Sequence, residues 1–182
     1  MQKCFQTENQ TVLEHGQSVW RHLKQLIDGL SSPIEGDWRL PSWYNENKEF
    51  LKERLLPIEI IEEYAVYHDN SKPFVKFIDE NGKQHFPNHA QKSKEIWLEV
   101  GGNIQSAQLM GYDMDIHNLK AEGIKEFALR PEAVTLILTG LSEVHSNSRM
   151  FGGFESTSFK IKWKQIDKRG RQIIEQIKEN FK

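Results

Sequence analysis

Tyr67-His68-Asp69-Asn70-Ser71-Lys72-Pro73 is the stretch on which the reading of this chain turns. It follows a run that opens at Pro57, a residue suited to a first helical turn, with Ile58, Ile61 and Ala65 recurring at helical spacing. His68 stands three residues after Ala65 and seven after Ile61, which places it on the inward face of that helix. Asp69, four residues after Ala65, falls on the edge of the same face. An imidazole and a carboxylate carried side by side into a core must both be satisfied, because an unpaired buried charge is very costly. A divalent metal satisfies both, since imidazole suits transition metals and carboxylate suits harder ions. A buried His-Asp hydrogen-bonded pair without metal satisfies them too, so the choice rests on the remaining chain.

At 182 residues the chain is long enough for a substantial core, and one domain over residues 1–182 is expected. Charged residues make up 27% and the net charge is only -2, so composition does not point to a nucleic-acid binder. The stretch from Lys160 to Lys182 is nevertheless basic. Cys4 is the single cysteine, which excludes an internal disulfide and a Cys-based zinc site. The N-terminus has no basic-then-apolar leader pattern, and no apolar run approaches the roughly 20 residues of a membrane span. A reducing, cytoplasmic setting without a membrane partner is the expectation.

Residues 1–10 are polar and read as loose. Thr11-Val12-Leu13-Glu14 reads as a capping box opening a helix to about Leu30, with His15 and His22 on its inward stripe. Residues 31–49 read as a loop, in which Trp38, Trp43 and Tyr44 either cap the core or wall a pocket. A short helix over about Lys48 to Leu55 leads to Pro57. Residues 74–86 suggest a small hairpin turning at Asp79-Glu80-Asn81-Gly82. Asn88 is a candidate N-cap for a helix whose first turn holds His89 and whose end is marked by Gly101-Gly102. His89 is expected to share a face with Ser93, Ile96, Trp97 and Val100. A helix over about Ile104 to Glu122 would carry Asp113 and His117 at i and i+4, aimed at one object. Pro131 opens a helix ending near His145, and a Gly/Ser-rich loop with aromatic residues spans 146–158. The last helix runs from about Phe159 or Lys164 to Phe181, with Ile166, Ile173, Ile174, Ile177 and Phe181 inward. The expected fold is all-α, a bundle of six or seven helices with at most one small β-hairpin.

His and Asp residues on separate helices converging on one place is how bundles build metal centres. The order His15, His68-Asp69, His89, Asp113, His117 resembles the HD-domain superfamily of metal-dependent phosphohydrolases, whose signature is a His, an adjacent His-Asp and a later Asp. Glu14-His15 is similar to the opening of such domains, and Tyr67–Pro73 resembles their His-Asp-Ile-Gly-Lys-Pro segment. His85-Phe86-Pro87-Asn88-His89 through Ser93 resembles the Phe-x-Gly-His-x-x-x-Ser segment of HD domains in bacterial tRNA nucleotidyltransferases. The resemblance covers residues 11 to about 120. Asn70-Ser71 stands for the usual Ile-Gly and Asn88 for the Gly before His89, both turn-tolerant replacements.

The resemblance implies an HD-type helical bundle that hydrolyses a phosphate ester of a nucleotide or an RNA end with one or two divalent ions (Mn, Fe, Co, Ni, Zn or Mg). The implied ligands are His15, His68, Asp69 and a further Asp, Asp113 being favoured over Asp167. His89 and His117 either complete a second ion site or act as general acid or substrate ligands. Asp69, Lys72 and His117 are the catalytic candidates, with Lys72 balancing charge on a phosphate oxygen and Arg149 a second substrate contact. Lys160 and Lys162 are weaker phosphate candidates, and His22, His85 and His145 read as structural. Two other readings stand beside the hydrolase: an HD-type di-iron oxygenase, and a non-catalytic metal-stabilised binding module.

Overall fold

The computed structural model describes residues 1–7 and 9–180. In chain order the elements are β1 (Phe5–Thr7), β2 (Gln10–Thr11), α1 (Val12–Asp28), α2 (Ser42–Glu46), α3 (Lys48–Lys52), α4 (Ile58–Tyr67), α5 (Lys72–Val75), β3 (Phe77–Ile78) and β4 (Gln84–His85). They continue with α6 (His89–Glu99), α7 (Ile104–Tyr112), α8 (Asp115–Asn118), a 3-10 turn (Ala121–Gly123), α9 (Ile124–Ala128), α10 (Ala133–Ser146) and α11 (Thr157–Asn180). The fold is mostly all-α, and the described residues include six helices of nine residues or more. Two antiparallel two-stranded ribbons, β1–β2 and β3–β4, are the β structure among the described residues. No described helix is long and apolar enough to cross a membrane.

The chain divides into two compact units, residues 1–20 with 58–114 and residues 21–57 with 115–182. In the first unit α1 starts where its sequence says it should. The Thr11 N–H donates to Glu14 Oε2 at 2.7 Å and the Glu14 N–H to Thr11 Oγ1 at 3.2 Å, the reciprocal capping box. Val12 and Val19 of α1 and Ile61, Tyr64 and Ala65 of α4 are buried. Ile58, expected inward, is exposed at the helix start, and Ile60 takes the inward place. Glu63 ties α4 to the α6–α7 pair: Trp97 Nε1 donates to its Oε1 at 2.6 Å and Ser106 Oγ to its Oε2 at 3.1 Å. The hairpin expected around Asp79–Gly82 is present, pairing Phe77 with His85 and Ile78 with Gln84.

Four expectations for local structure are corrected. Residues 1–10 are not loose throughout: β1 pairs with β2, an arrangement polar strands do not announce because pairing supplies what hydrophobic pattern lacks. Residues 31–49 contain α2, because Trp43 and Tyr44 are anchored in a core and the Tyr44 hydroxyl donates to Leu26 O at 2.6 Å. The helix expected over Ile104–Glu122 ends at Tyr112, turns at residues 113–114 and restarts as α8, so Asp113 and His117 are not an i,i+4 pair on one helix. On α6, Ser93 is buried as expected but Val100 is exposed.

The second unit is organised by α10, whose residues Ala133 to Leu141 are all buried. Removing an apolar side chain of Leu or Ile size from water contributes roughly 1.5–3 kcal/mol, so this helix is the unit's main apolar anchor. Gly140 lets Ile116 of α8 and Ile166 of α11 approach it; an added Cβ would lie 3.1 and 3.3 Å from their side chains. Ile166, Ile173, Ile174 and Ile177 of α11 are buried as the periodicity predicts. Phe181, also expected inward, lies outside the described residues.

Candidate metal centre

His15 lies on the first turns of α1, and the residue after it decides how close it comes to α4. A Cβ at Gly16 would fall 2.0 Å from the backbone oxygen of Val66. Only glycine tolerates that approach, so α1 rests directly on the α4 backbone. The His15 and His68 rings consequently meet at a 5.4 Å centroid separation. His68 and Asp69 follow the last turn of α4 and are each 1% exposed.

The hydrogen bonds of the imidazoles fix their orientation. His68 Nδ1 donates to Ala65 O at 2.9 Å, and His89 Nδ1 donates to Phe86 O at 2.8 Å. A carbonyl can only accept, so each ring's first proton belongs on Nδ1, and Nε2 carries the lone pair of the neutral ring. Those nitrogens face one carboxylate. His68 Nε2 is 3.2 Å and His15 Nε2 3.8 Å from Asp69 Oδ2, while His89 Nε2 is 3.6 Å from Asp69 Oδ1. A nitrogen lone pair opposite a carboxylate oxygen is unfavourable. A second proton on the ring or a cation shared by both groups removes the conflict.

Asp69 Oδ1 is buried and has no hydrogen-bond partner among the described residues. Lys72 Nζ sits 2.6 Å from Asp69 Oδ2 and also donates to Gln6 Oε1 at 3.0 Å. Lys72 is thus the counterion of Asp69, positioned by Gln6 of β1, a strand whose polar sequence reads as loose. Burial alone would raise the Asp69 pKa. The nearby His68, Lys72 and His15 outweigh it and hold the carboxyl well below the ordinary range.

The Asn70-Ser71 turn and the helix that carries His89 are clamped together by hydroxyls. The Ser71 N–H donates to Ser93 Oγ at 3.2 Å, Ser93 Oγ donates to Ser71 Oγ at 3.0 Å, and Ser71 Oγ donates to His89 O at 2.7 Å. Asn88, before His89, adopts φ 51, the left-handed conformation that Gly or Asn tolerates best. It occupies the N-cap position without a side-chain cap bond among the described residues, so its use is conformational.

His15, His68 and Asp69 offer ligand atoms that all lie within 4.8 Å of one another, an arrangement that can hold a metal ion. A neutral-imidazole and carboxylate set is the donor set of a divalent transition metal, and the partnerless Oδ1 fits it. Asp113, the C-cap of α7, is buried and has a ligand atom within 4.8 Å of one on His68. The Tyr64 hydroxyl donates to Asp113 Oδ1 at 2.6 Å. Tyr64, Gly16, Gln6 and the Ser71–Ser93 pair were missed by sequence reasoning. Gly16, adjacent to His15, and Tyr64, four residues before His68, were the signals available.

The remaining candidates belong to the second unit. His117 Nε2 is hydrogen-bonded to Glu143 Oε2 at 2.5 Å. Asp167, on α11, pairs with Arg171 at 3.4 Å. Arg149 is exposed in the turn after α10, Lys160 pairs with Glu155 at 2.7 Å, and Lys162 is exposed. His145 is buried, with Nδ1 donating to Leu141 O at 2.9 Å and Nε2 accepting from the Arg39 N–H at 3.2 Å. His22 packs edge-on to Trp38 at 5.7 Å. In the first unit's hairpin, His85 bonds Asp79 at 2.6 Å and stacks on Phe77. No family model, no curated protein and no solved structure matches this chain.

Proposed function

We propose that this chain is an HD-type, metal-dependent phosphohydrolase that cleaves a phosphate ester of a nucleotide or an RNA end in the cytoplasm. The observation that carries the reading is the convergence of three imidazole Nε2 atoms on the buried carboxylate of Asp69, at 3.2, 3.6 and 3.8 Å. It is supported by the sequence resemblance around His15, Tyr67–Pro73 and His85–Ser93. The ion is held by His15, His68 and Asp69, with Asp113 as the further carboxylate. A divalent ion in such a ligand set supplies Lewis acidity toward a phosphoryl oxygen and acidifies water at neutral pH.

The protein's own groups do the rest. Ala65 O and Phe86 O hold the His68 and His89 rings with Nε2 toward the site. Against the cost of burial, His68 and Lys72 beside it keep Asp69 ionised, the form in which a carboxylate ligates. The His89 side chain is 16% exposed, against 2% or less for His15 and His68, so it is the ring that a substrate can reach as general acid or ligand. Tyr64 orients Asp113.

The test is elemental analysis of the purified protein and of His68→Ala, followed by a phosphate-ester screen. About one equivalent of a divalent transition metal, lost in the variant together with hydrolysis, is the expected result. A native protein that takes up no metal after reconstitution, or that hydrolyses esters equally well without His68, overturns the reading.

A further inference from the structure

We infer that the centre binds its divalent ion weakly alone and tightly in company with a phosphate dianion, because Lys72 already neutralises Asp69. The inference rests on the phosphohydrolase reading and adds to it how metal and substrate are linked.

The argument is a count of charge. The groups facing Asp69 are His68, His89, His15 and Lys72, at 3.2, 3.6, 3.8 and 2.6 Å. With neutral imidazoles, the form that ligation requires, Lys72 cancels Asp69 and leaves Asp113 as the one carboxylate to offset an arriving ion. A divalent ion then leaves one uncompensated positive charge in a place where His15, His68 and Asp69 are at most 2% exposed. Net charge in such surroundings is strongly opposed. A phosphate monoester, carrying about -1.5 to -2 at neutral pH, supplies the missing negative charge.

Lys72 is not free to step aside. Its ammonium is shared between Asp69 Oδ2 and Gln6 Oε1, lies 5.2 Å from the Phe86 ring centroid, and the residue is 8% exposed. It therefore repels an arriving ion and attracts an arriving anion from the same position. The ion and the anion each make the site more hospitable to the other, and linkage requires the effect to be reciprocal.

The experiment is titration of the metal-free full chain with Mn2+, reading free manganese by its paramagnetic resonance signal. It is run without and with inorganic phosphate, kept below the solubility limit of manganese phosphate. Phosphate is expected to tighten manganese binding by about tenfold or more. Lys72→Met is expected to tighten binding without phosphate by a similar factor and to shrink the effect of phosphate. Tight manganese binding by the native protein that phosphate does not alter overturns this inference and leaves the metal centre standing. Manganese binding absent in both arms overturns the phosphohydrolase reading and this inference together. Phosphate linkage that survives unchanged in Lys72→Met removes Lys72 as its cause. Should Lys72→Met fail to fold, the two native titrations decide the question alone.

Discussion

His68 in the first unit and His145 in the second begin alike. Each is 1% exposed, and each donates from Nδ1 to a carbonyl about one turn earlier, Ala65 O or Leu141 O, at 2.9 Å. They part at Nε2. His145 Nε2 accepts the Arg39 N–H at 3.2 Å, whereas His68 Nε2 faces the oxygen of Asp69 at the same 3.2 Å. A donor opposite a lone pair completes a neutral, inert imidazole. Two acceptors face to face need a proton or a cation between them. Under the proposed reading, burial is no guide to which histidine ligates; the group facing the second nitrogen is.

The sharpest way to break this contrast is Asp69→Ala. Lys72 would be left as a buried cation without its carboxylate, at a cost of about 3–5 kcal/mol in urea unfolding, with loss of metal by elemental analysis. A variant that kept both stability and metal would erase the distinction between the two histidines.

Acid tests the other side. Burial lowers the His145 pKa from 6.5 to about 4, so the folded protein resists a proton that the unfolded chain accepts. Stability should be full above pH 6.5 and fall as pH drops from 6.5 to about 4, by about 3 kcal/mol. Urea midpoints at neutral pH and near pH 4.5, compared with His145→Gln, isolate this contribution. A His145→Gln protein with an unchanged acid slope would locate the sensitivity elsewhere.

Gly16→Ala changes no candidate ligand, yet its Cβ would collide with Val66 O. We expect a loss of about 1–3 kcal/mol in thermal unfolding and weaker metal binding, because His15 is displaced from His68. Gly140→Ala, whose Cβ meets only side chains at 3.1–3.4 Å, should cost less and leave metal content unchanged. Ser93→Ala removes the hydroxyl joining the His-Asp turn to the His89 helix. Calorimetry should show a loss on the order of 1 kcal/mol, with metal binding weakened. The smallest effect belongs to His85→Ala on the partly exposed hairpin: under about 1 kcal/mol and no change in metal.

Much of the first unit was legible. The Thr11–Glu14 box, the helical spacing before His68 and the Asp79–Gly82 turn are local signals, carried by neighbours within a few residues of each other. The inward positions of His15, His68 and Asp69 followed from the same periodicity. What failed was also consistent in kind. The apolar spacing of Leu109, Ile116 and their neighbours suited one long helix, but the chain turns after Tyr112. The polar N-terminal segment gave no sign of pairing, although Gln6 within it holds Lys72. Trp43 and Tyr44 looked like loop aromatics because their helix, α2, is too short to show a period.

By itself, then, the sequence determined the helical class, the Thr11–Glu14 cap, the Asp79–Gly82 turn and the inward positions of His15, His68 and Asp69, because these depend on residue type and spacing along one element. Tertiary structure alone decided that α1 lies against α4 at Gly16, that Lys72 is bound to Asp69 and Gln6, and that Ser93 holds the His89 helix to the His-Asp turn. It also decided what stands opposite each Nε2. Those contacts join residues far apart in the chain, and no periodicity records them.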